Sequence, residues 1–289
     1  MSNLLCHKYV PMALMCLPTL QKNCDRPVHF LLHDDGSLTE EDMDLLAAGL
    51  TDYRVIRRKE ADERMAEELA RFPASAAFRR ETVMALKLCD SLYYNTDDLY
   101  VYTDSDILFF RPFQKLFQLP DKDVHALFMH DAYDNCYSFR FWELLATPSV
   151  KLPSRVNAGF ACLRRSQYDP EWVEWFLSGP AKGGRRHHGV PEQTAWAAMG
   201  LKLGCRKWDP RYVTVMLPDT PAEDMVVGHF TGFTRDRLDQ CARDAAAAAP
   251  RPPVEVATVD PGRCTPLDLF VTESLRVSKR IVKRLRKQD

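Results

Sequence analysis

The chain has 289 residues, 46% hydrophobic and 27% charged, which is the composition of an ordinary globular protein with room for one large α/β domain. Its formal net charge is −1, but residues 275–289 hold seven of the basic side chains and one acidic side chain. Residues 1–274 therefore carry 32 basic and 39 acidic side chains, a net charge of −7. This balance argues against a nucleic-acid partner and confines the basic character to the tail.

Nine cysteines are scattered singly, mostly among apolar residues, and none forms a Cys-x-x-Cys pair. This pattern indicates reduced, buried thiols and predicts a cytoplasmic protein. Pro11 and Pro18 interrupt the N-terminal apolar stretch, and no window approaches the roughly 18 apolar residues of a spanning helix. We therefore expect neither a secretion signal nor an integral membrane segment.

The first hundred residues alternate between strand-like and helix-like patterns. The predicted order is strand 3–6, helix 9–23, strand 28–32, helix 39–49, strand 53–56, helices 60–71 and 77–92, and strand 99–103. Ser37 and Glu40 form a predicted capping box before the second helix. The alternation predicts an α/β fold, with a mostly parallel sheet flanked by helices and joined by right-handed crossovers.

The rest of the chain is less regular. Its predicted elements are strand 124–129, helix 139–145, strand 157–163, a helix from 169, a mobile loop 183–189, helix 191–199, strand 225–229 and a final helix 267–287. An Ala run and four prolines predict a linker over 244–262. These patterns divide the chain into a catalytic domain 1–243, the linker 244–262 and a C-terminal segment 263–289.

The central stretch runs from Leu99 to Phe113, where a buried strand leads into Asp104-Ser105-Asp106 and a second apolar run. Two carboxylates at i and i+2 on extended backbone point to the same side. They follow the carboxyl end of a strand, where α/β folds bind ligands, so the pair predicts a site for a hard divalent cation. No Gly-rich phosphate loop follows any predicted strand, so a metal has to hold any diphosphate.

Two other segments, Asp42-Met-Asp44 and Asp121-Lys-Asp123, have the same spacing of carboxylates. Their surroundings are polar, which favours solvated side chains over a metal site. Spacing alone therefore does not identify the site, and the apolar surroundings of the Asp104 and Asp106 pair distinguish it from the other two.

The final helix is amphipathic when its residues are placed at 100° intervals. Val271, Leu275, Ile281, Val282 and Leu285 fall in one stripe, and the basic residues take the opposite side. The pattern predicts a helix lying on an anionic membrane surface. A basic, solvated helix packed on the body of the protein is the alternative.

Four segments resemble, in the same order, the GT-A fold nucleotide-sugar glycosyltransferases of family 8, the glycogenin and LgtC-like enzymes. They are Tyr100-Val-Tyr-Thr-Asp-Ser-Asp106, Asn157-Ala-Gly159, Glu192-Gln193-Thr194 and His229-Phe-Thr-Gly-Phe-Thr-Arg235, which together span about residues 3–240. The chain departs from the family where Arg235 replaces a Lys and Thr194 replaces a second Asp. The resemblance implies a GT-A, Rossmann-like fold and a hexosyltransferase that takes its sugar from a nucleotide.

The resemblance also implies a metal site built from Asp104, Asp106 and His229. A nitrogen ligand beside two carboxylates favours Mn²⁺ over Mg²⁺ as the cofactor. The ion would neutralise charge on the nucleoside diphosphate as the glycosidic bond breaks.

A UDP-sugar, a UDP-hexose, is the implied donor. Tyr9 matches the family's aromatic residue that stacks on uracil, although His7 and Lys8 replace its usual Asp-Asn. Arg235 is expected to contact the phosphates, because its fork suits phosphate oxygens. Lys87 matches a basic residue on the helix before the metal motif, with a solvated helix position as the alternative. Ser105 and Gly232, which lie within the matching motifs, are assigned to the same nucleotide site.

The sugar is expected to meet the two middle segments. Asn157 would bond donor-sugar hydroxyls, and Gly159 would permit a close backbone approach. Gln193 resembles the family residue near the anomeric carbon, and Glu192 is the only carboxylate in its segment. Transfer with retention by front-face attack needs no protein nucleophile, whereas a covalent route would require Glu192 or Asp131.

Other classes agree less well with the residues. A phosphatase of the HAD type also has Asp-x-Asp after a strand, but Leu108 stands where its motif needs Thr or Val. A non-catalytic module with the same fold would be expected to lose Asp104, Asp106 or His229. A nucleotidyltransferase would show a Gly-rich, basic loop after its first strand. We therefore expect a glycosyltransferase whose acceptor is a glycan or a lipid-linked glycan, acting at the inner face of a membrane.

Overall fold

The computed structural model describes residues 1–133, 136–180, 190–222, 224–232 and 234–285, and the side chains of these residues up to Leu275. Its helices are α1 (Val10–Asn23), α2 (Glu40–Gly49), α3 (Arg58–Glu68), α4 (Pro73–Glu81), α5 (Ala85–Cys89), α6 (Ser91–Tyr94), α7 (Phe141–Ala146), α8 (Pro170–Ser178), α9 (Pro191–Leu203), α10 (Leu238–Ala247) and α11 (Pro266–Leu285). Its strands are β1 (Ser2–Leu5), β2 (Phe30–Asp34), β3 (Tyr53–Ile56), β4 (Leu99–Thr103), β5 (Ile107–Phe109), β6 (Phe113–Gln114), β7 (Ala126–His130), β8 (Val156–Arg164), β9 (Cys205–Trp208), β10 (Val213–Val215), β11 (Val227–His229), β12 (Val254–Glu255) and β13 (Thr258–Val259). The predicted loop 183–189 lies outside the described residues.

One sheet forms the centre of the fold, with the strand order β3-β2-β1-β4-β8-β7-β10-β11-β5. β1 pairs in parallel with β2 and β4, and β2 with β3. β8 runs antiparallel to both β4 and β7, and β5 runs antiparallel to β11. The predicted mostly parallel α/β sheet is confirmed. The antiparallel β5 was not predicted; it follows β4 after three residues, which is too short a connection for a parallel crossover.

Apolar layers cover the sheet on both faces, which explains why the strands are so apolar. Successive residues of β4 enter different layers, because side chains alternate across a strand. Tyr100 and Tyr102 join the layer formed by α3, α4, α5, α8 and α9. Val101 joins the layer formed by α1 and α2. This double burial fixes β4 firmly and brings its carboxyl end, with the Asp-x-Asp motif, to a defined place.

The predicted cap of the second helix and the predicted single helix over 77–92 are wrong. The second helix begins at Glu40, so Thr39, not Ser37, is its N-cap. The Thr39 hydroxyl accepts a hydrogen bond from the Asp42 N–H, and the Asp42 carboxylate accepts one from the Thr39 N–H. The single helix predicted over 77–92 is three short helices, α4, α5 and α6, because the backbone of Thr82 is extended and ends α4.

The segment predicted as a linker, 244–262, includes ordered elements. α10 continues into the Ala run as far as Ala247, β12 pairs with β6, and β13 pairs with β9. α11 then begins at Pro266, with the buried Leu269 packed against the body. The division of the chain at residues 243 and 262 stays a prediction. Through residue 285, none of the helices described combines the length and apolarity needed to cross a membrane.

Candidate metal and nucleotide site

Three possible metal ligands meet where β4, β5 and β11 come together. One ligand atom from each of Asp104, Asp106 and His229 lies within 4.8 Å of the other two. The His229 Nε2 atom lies 3.0 Å from an Asp106 carboxylate oxygen and 3.8 Å from an Asp104 carboxylate oxygen. Asp106 and His229 are buried and Asp104 is half-buried. All three line a cavity of about 390 Å³.

Strand pairing, rather than the extended backbone that the spacing predicted, brings these ligands together. After β4 the chain turns at residues 105–106 and returns as β5. The Asp104 N–H donates to the Gly159 carbonyl of β8 at 2.7 Å. The Phe230 N–H, just after β11, donates to the Asp106 carbonyl at 2.9 Å. The motif is thus fastened to one neighbouring strand at each end, and His229 follows from the antiparallel pairing of β5 with β11.

Asp104 is held by two donors on the side away from His229. The Lys87 Nζ atom, on α5, and the Tyr102 hydroxyl each lie 2.9 Å from Asp104 Oδ1. Lys87 is only 4% exposed, so it is a buried charge partner and not the solvated helix residue considered as an alternative. Burial and the Asp104 charge raise the pKa of Tyr102, so its hydroxyl stays protonated and donates. Tyr102 was not predicted as a site residue, although its i−2 spacing from Asp104 was a usable signal.

Arg235 links the metal motif to the predicted base-stacking residue. Its Nε and Nη2 atoms donate to one oxygen of Asp106 at 3.0 and 2.7 Å. Its Nη1 atom donates to the Tyr9 hydroxyl at 2.8 Å, and the guanidinium carbon lies 4.8 Å from the centroid of the Tyr9 ring. Arg235 and Tyr9 were both predicted to lie in the nucleotide site, and both line the cavity.

The charges of neighbouring side chains determine whether Asp106 and His229 are protonated. Burial alone would raise the pKa of Asp106, but the nearby His229 and Arg235 outweigh burial and lower that pKa to about 2. Burial alone would lower the pKa of His229, but Asp106 and Asp104 raise it. Without an ion, a proton on His229 therefore compensates the two carboxylates. A metal would replace that proton.

These residues fit a divalent cation. Two carboxylates and one imidazole form a donor set that suits Mn²⁺, and also Mg²⁺ with added water. Atoms about 2.1 Å from one ion lie up to about 4.2 Å apart, so ligand atoms that already lie within 4.8 Å of one another need at most a small inward movement.

Asn157 directs its amide to the protein. Its Oδ1 atom accepts from the His229 Nδ1 atom at 3.0 Å and from the Gly159 N–H at 2.9 Å. Its Nδ2 atom donates to Asp131 Oδ2 at 2.9 Å. A Cβ on Gly159 would lie 2.5 Å from His229 Cε1 and 2.7 Å from an Asp104 oxygen. Glycine at this position therefore allows the close approach of His229 to β8.

Gln193 and Glu192 stand side by side at the start of α9 and line the cavity. The Gln193 side chain accepts from the Ala158 N–H at 3.1 Å and donates to the Cys136 carbonyl at 2.7 Å. Glu192 is 2% exposed, and its Oε2 atom has no hydrogen-bond partner among the described residues. Burial raises the pKa of Glu192 to about 7, although Lys87 opposes the shift. Glu192 is thus a buried carboxyl group with bonding capacity left over.

Three other motif residues have different surroundings. The Ser105 hydroxyl donates to Asn3 Oδ1 at 3.2 Å and so helps hold the turn between the two aspartates. A Cβ on Gly232 would meet nothing within 4 Å, so crowding does not require glycine there. Thr194 is fully buried and bonds the N–H and hydroxyl of Ser138. The replacement of the family's second Asp by Thr194 therefore lies behind the cavity wall.

Several residues on the cavity wall were not predicted as site residues. Among them are Leu4, Met12, Asp35, Val83, Met84 and Thr231. Thr231 lies within the His229–Arg235 motif. The others come from four separate parts of the chain and share no motif, so no local signal marks them. Only the packing of β1, α1 and the segment before α5 around the end of β4 brings them together.

Comparisons with known proteins agree with this fold. No protein-family profile matches the sequence, and neither does any curated protein sequence. Among solved structures, mouse xyloside xylosyltransferase 1 in its apo form is 13% identical with a TM-score of 0.56, over 81% of this chain and 97% of that one. Galactosyltransferase LgtC, in complex with donor and acceptor sugar analogues, is 14% identical with a TM-score of 0.54, over 87% of this chain and 96% of that one.

A third similar structure is the glycosyltransferase GlyE of Streptococcus pneumoniae TIGR4, which is 11% identical with a TM-score of 0.51. That alignment covers 86% of this chain and 60% of GlyE. At such low identity the likeness concerns the fold alone. This chain has the GT-A fold of these glycosyltransferases, as the sequence predicted.

Proposed function

We propose that this chain is a metal-dependent glycosyltransferase of family 8 that moves a hexose from a UDP-sugar, with retention, to a glycan or a lipid-linked acceptor. The observation that carries the proposal is the convergence of Asp104, Asp106 and His229 on one cavity at the carboxyl end of β4. The fold supports it, because similar structures are glycosyltransferases.

In the proposed complex, Mn²⁺ or Mg²⁺ would stabilise charge on the departing nucleoside diphosphate. Arg235 would exchange its bonds to Asp106 for bonds to phosphate oxygens, for which its fork is suited. That movement would free the Tyr9 ring to stack on the uracil. Lys87 would hold Asp104 in place, and Ser105 would hold the turn between the two ligands.

Glu192 is the residue best placed to recognise the sugar. Its unpartnered oxygen and its raised pKa allow it either to donate to or to accept from a sugar hydroxyl at neutral pH. Gln193 stands next to it, near the expected position of the anomeric carbon. Asn157 and Gly159, on β8, would border the same sugar. Front-face attack leaves Glu192 a binding role, since that route needs no protein nucleophile.

The first test is hydrolysis of a panel of UDP-, GDP- and dTDP-sugars by the purified chain with Mn²⁺. We expect turnover of one donor, lost by about 10³-fold in Asp106→Asn, because a metal ligand contributes several kcal/mol. The matched control is Asp121→Asn, which removes an exposed carboxylate from a segment of the same Asp-x-Asp spacing and should keep full activity.

The alternatives give different results when donor binding and hydrolysis of phosphate monoesters are measured on the same protein. Failure of every donor to bind, with the fold intact by circular dichroism, would indicate a non-catalytic module. Release of phosphate from phosphate monoesters, without sugar transfer, would indicate a phosphatase of the HAD type.

We further propose that the C-terminal helix docks on an anionic membrane, which would place the enzyme at the cytoplasmic face. The exposure of the apolar stripe argues against the alternative, in which this stripe packs on the body of the protein. Leu267, Val271 and Leu275 are 67%, 47% and 58% exposed, and they lie on one side of α11. Leu269, which faces the other way, is buried. Along its described side chains, the stripe therefore points to solvent and is free for a partner.

The neighbouring helix α7 extends this apolar surface. The Phe270 ring packs edge-to-face on Phe141 of α7 at a centroid distance of 5.1 Å. Trp142 and Leu145, which also lie on α7, are exposed. A Trp beside an apolar stripe suits the boundary between lipid headgroups and acyl chains. The sequence places the basic residues of 276–287 beyond Leu275, and their side chains lie outside the described residues.

Sedimentation with vesicles tests this docking. We expect binding to phosphatidylglycerol–phosphatidylcholine vesicles and not to pure phosphatidylcholine, because the tail is basic. Leu145→Glu should weaken binding by about tenfold or more, since burial of a Leu contributes about 2 kcal/mol. Leu45→Glu, at an exposed Leu of α2, is the matched control. Equal binding by a chain that lacks residues 276–289 would remove the support for this proposal.

A further inference from the structure

We infer that Asn157 and Asp131 are positioning residues, which set the orientation and tautomer of His229 so that its Nε2 atom faces the metal. This inference rests on the proposed metal site. It gives Asn157 a role that differs from the sugar contact implied by family resemblance, because the contacts of its amide in this chain are to protein groups.

The hydrogen-bonding chemistry of Asp131, Asn157 and Gly159 determines which nitrogen of His229 carries a proton. The Gly159 backbone N–H is a donor, so the atom of Asn157 that faces it has to be the carbonyl oxygen, Oδ1. That same oxygen lies 3.0 Å from His229 Nδ1 and cannot donate, so Nδ1 carries the proton. With Nδ1 protonated, Nε2 is the nitrogen that can offer a lone pair to a metal.

Asp131 secures the other end of the amide. Its Oδ2 atom accepts from Asn157 Nδ2 at 2.9 Å, which prevents the amide from flipping. Its Oδ1 atom accepts from the Tyr133 N–H at 3.1 Å. A carboxylate beside β7 is thus linked through Asn157 to His229, and the ring faces Asp104 and Asp106.

Only an amide side chain at position 157 can bond both to His229 and to Asp131. Position 157 has to accept from His229 and Gly159 and also donate to Asp131, and an aspartate there would oppose Asp131 with a second negative charge. Gly159 completes the arrangement, because any side chain at that position would collide with His229. The Asn-x-Gly spacing is therefore explained by the geometry of the histidine.

The test is titration of the full-length chain with Mn²⁺, followed by electron paramagnetic resonance of the free ion. Asn157→Leu should weaken Mn²⁺ binding by 10- to 100-fold, as loss of a partner behind a metal ligand commonly does. Asn157→Asp should also weaken it, because of repulsion from Asp131. The exchanged variant, Asn157→Asp with Asp131→Asn, restores a donor facing an acceptor and should recover most of the affinity.

The outcomes separate this inference from the proposed function. If the unaltered chain binds Mn²⁺ and Asn157→Leu binds it equally well, the positioning role is wrong and the metal site stands. If the exchanged variant binds no better than Asn157→Asp alone, Asp131 has no part in it. If the unaltered chain binds no Mn²⁺, both the metal site and this inference are wrong. Thermal unfolding of each variant shows whether lost affinity reflects lost structure.

Discussion

Two clusters of acidic and basic side chains, each built on a buried aspartate, differ in their chemistry. In one, Arg79 donates through Nε and Nη2 to both oxygens of Asp90 at 2.8 and 2.7 Å, and through Nη1 to Asp62 at 2.6 Å. In the other, His229 and Arg235 contact Asp106, while Lys87 contacts Asp104.

The difference lies in where the carboxylate oxygens point. The planar fork of Arg79 satisfies both oxygens of Asp90, so this pair joins α4 to the end of α5 and has nothing left for a ligand. Asp104 and Asp106 instead direct oxygens at one point, together with a histidine nitrogen, and that point opens on a cavity. Convergence of ligand atoms on a cavity, rather than burial of charge, distinguishes a site from a structural ion pair.

The largest effect is expected from Asp106→Asn on metal binding. We expect Mn²⁺ affinity to fall by about 10³-fold or more, because a charged ligand is lost from the centre. Isothermal titration calorimetry measures it, with Asp90→Asn as the counterpart in the other cluster. Equal losses in the two variants would show that the clusters do not differ in the way described.

Arg79→Met should give the converse result. It leaves Asp90 buried without a cation, which commonly costs about 3–5 kcal/mol of unfolding free energy. Urea denaturation measures the loss, and Mn²⁺ affinity of the folded fraction should stay unchanged. Arg58→Met, which removes a partly exposed i,i+4 pair with Asp62, is the control and should cost less than about 1 kcal/mol.

The Gly159→Ala variant tests whether the metal site depends on the close approach of His229 to the backbone of β8. A Cβ there would push against His229 and Asp104, so we expect Mn²⁺ affinity to fall by about tenfold to a hundredfold. Gly232→Ala is the matched control, since its Cβ would meet nothing within 4 Å. If both alanine variants bind Mn²⁺ as the unaltered chain does, close packing around His229 is not required.

The smallest expected effect is that of low pH on the free energy of unfolding of the metal-free protein. Because the pKa of Asp106 is lowered to about 2 from an ordinary 3.8, its contribution to stability is complete above pH 3.8 and is lost as pH falls toward 2. Between pH 5 and pH 3 this loss is about 1 kcal/mol. Urea denaturation at the two pH values measures it, and the same drop in Asp106→Asn would assign it to other groups.

The opposite sign holds for His229. Its pKa is raised, so its contribution is complete below pH 6.5 and is lost as pH rises through the raised value. Metal binding displaces the same proton, so Mn²⁺ affinity should increase with pH over this range.

Local patterns predicted much of this molecule. The alternation of strands and helices indicated the α/β sheet, and the apolar strand before Asp104 and Asp106 distinguished this pair from the other two. Asp44, Asp121 and Asp123 are exposed as expected, but Asp42 is buried, because its carboxylate caps α2 through the Thr39 N–H. The predictions that were wrong involve short elements. The cap of α2 is Thr39 and not Ser37, and the helix over 77–92 is three helices, because boundaries depend on which backbone donors find partners.

The sequence by itself determined which side chains could form a metal site, because the apolar strand before Asp104 and Asp106 and the motif that begins at His229 are local patterns. Tertiary structure decided how they are used. Arg235 reaches Asp106 across 129 residues, and Asn157 reaches His229 across 72. Such contacts depend on antiparallel pairing around β8 and between β5 and β11, which no short-range pattern encodes. The same holds for the exposed side of α11, since whether an apolar stripe packs on the body depends on what surrounds it.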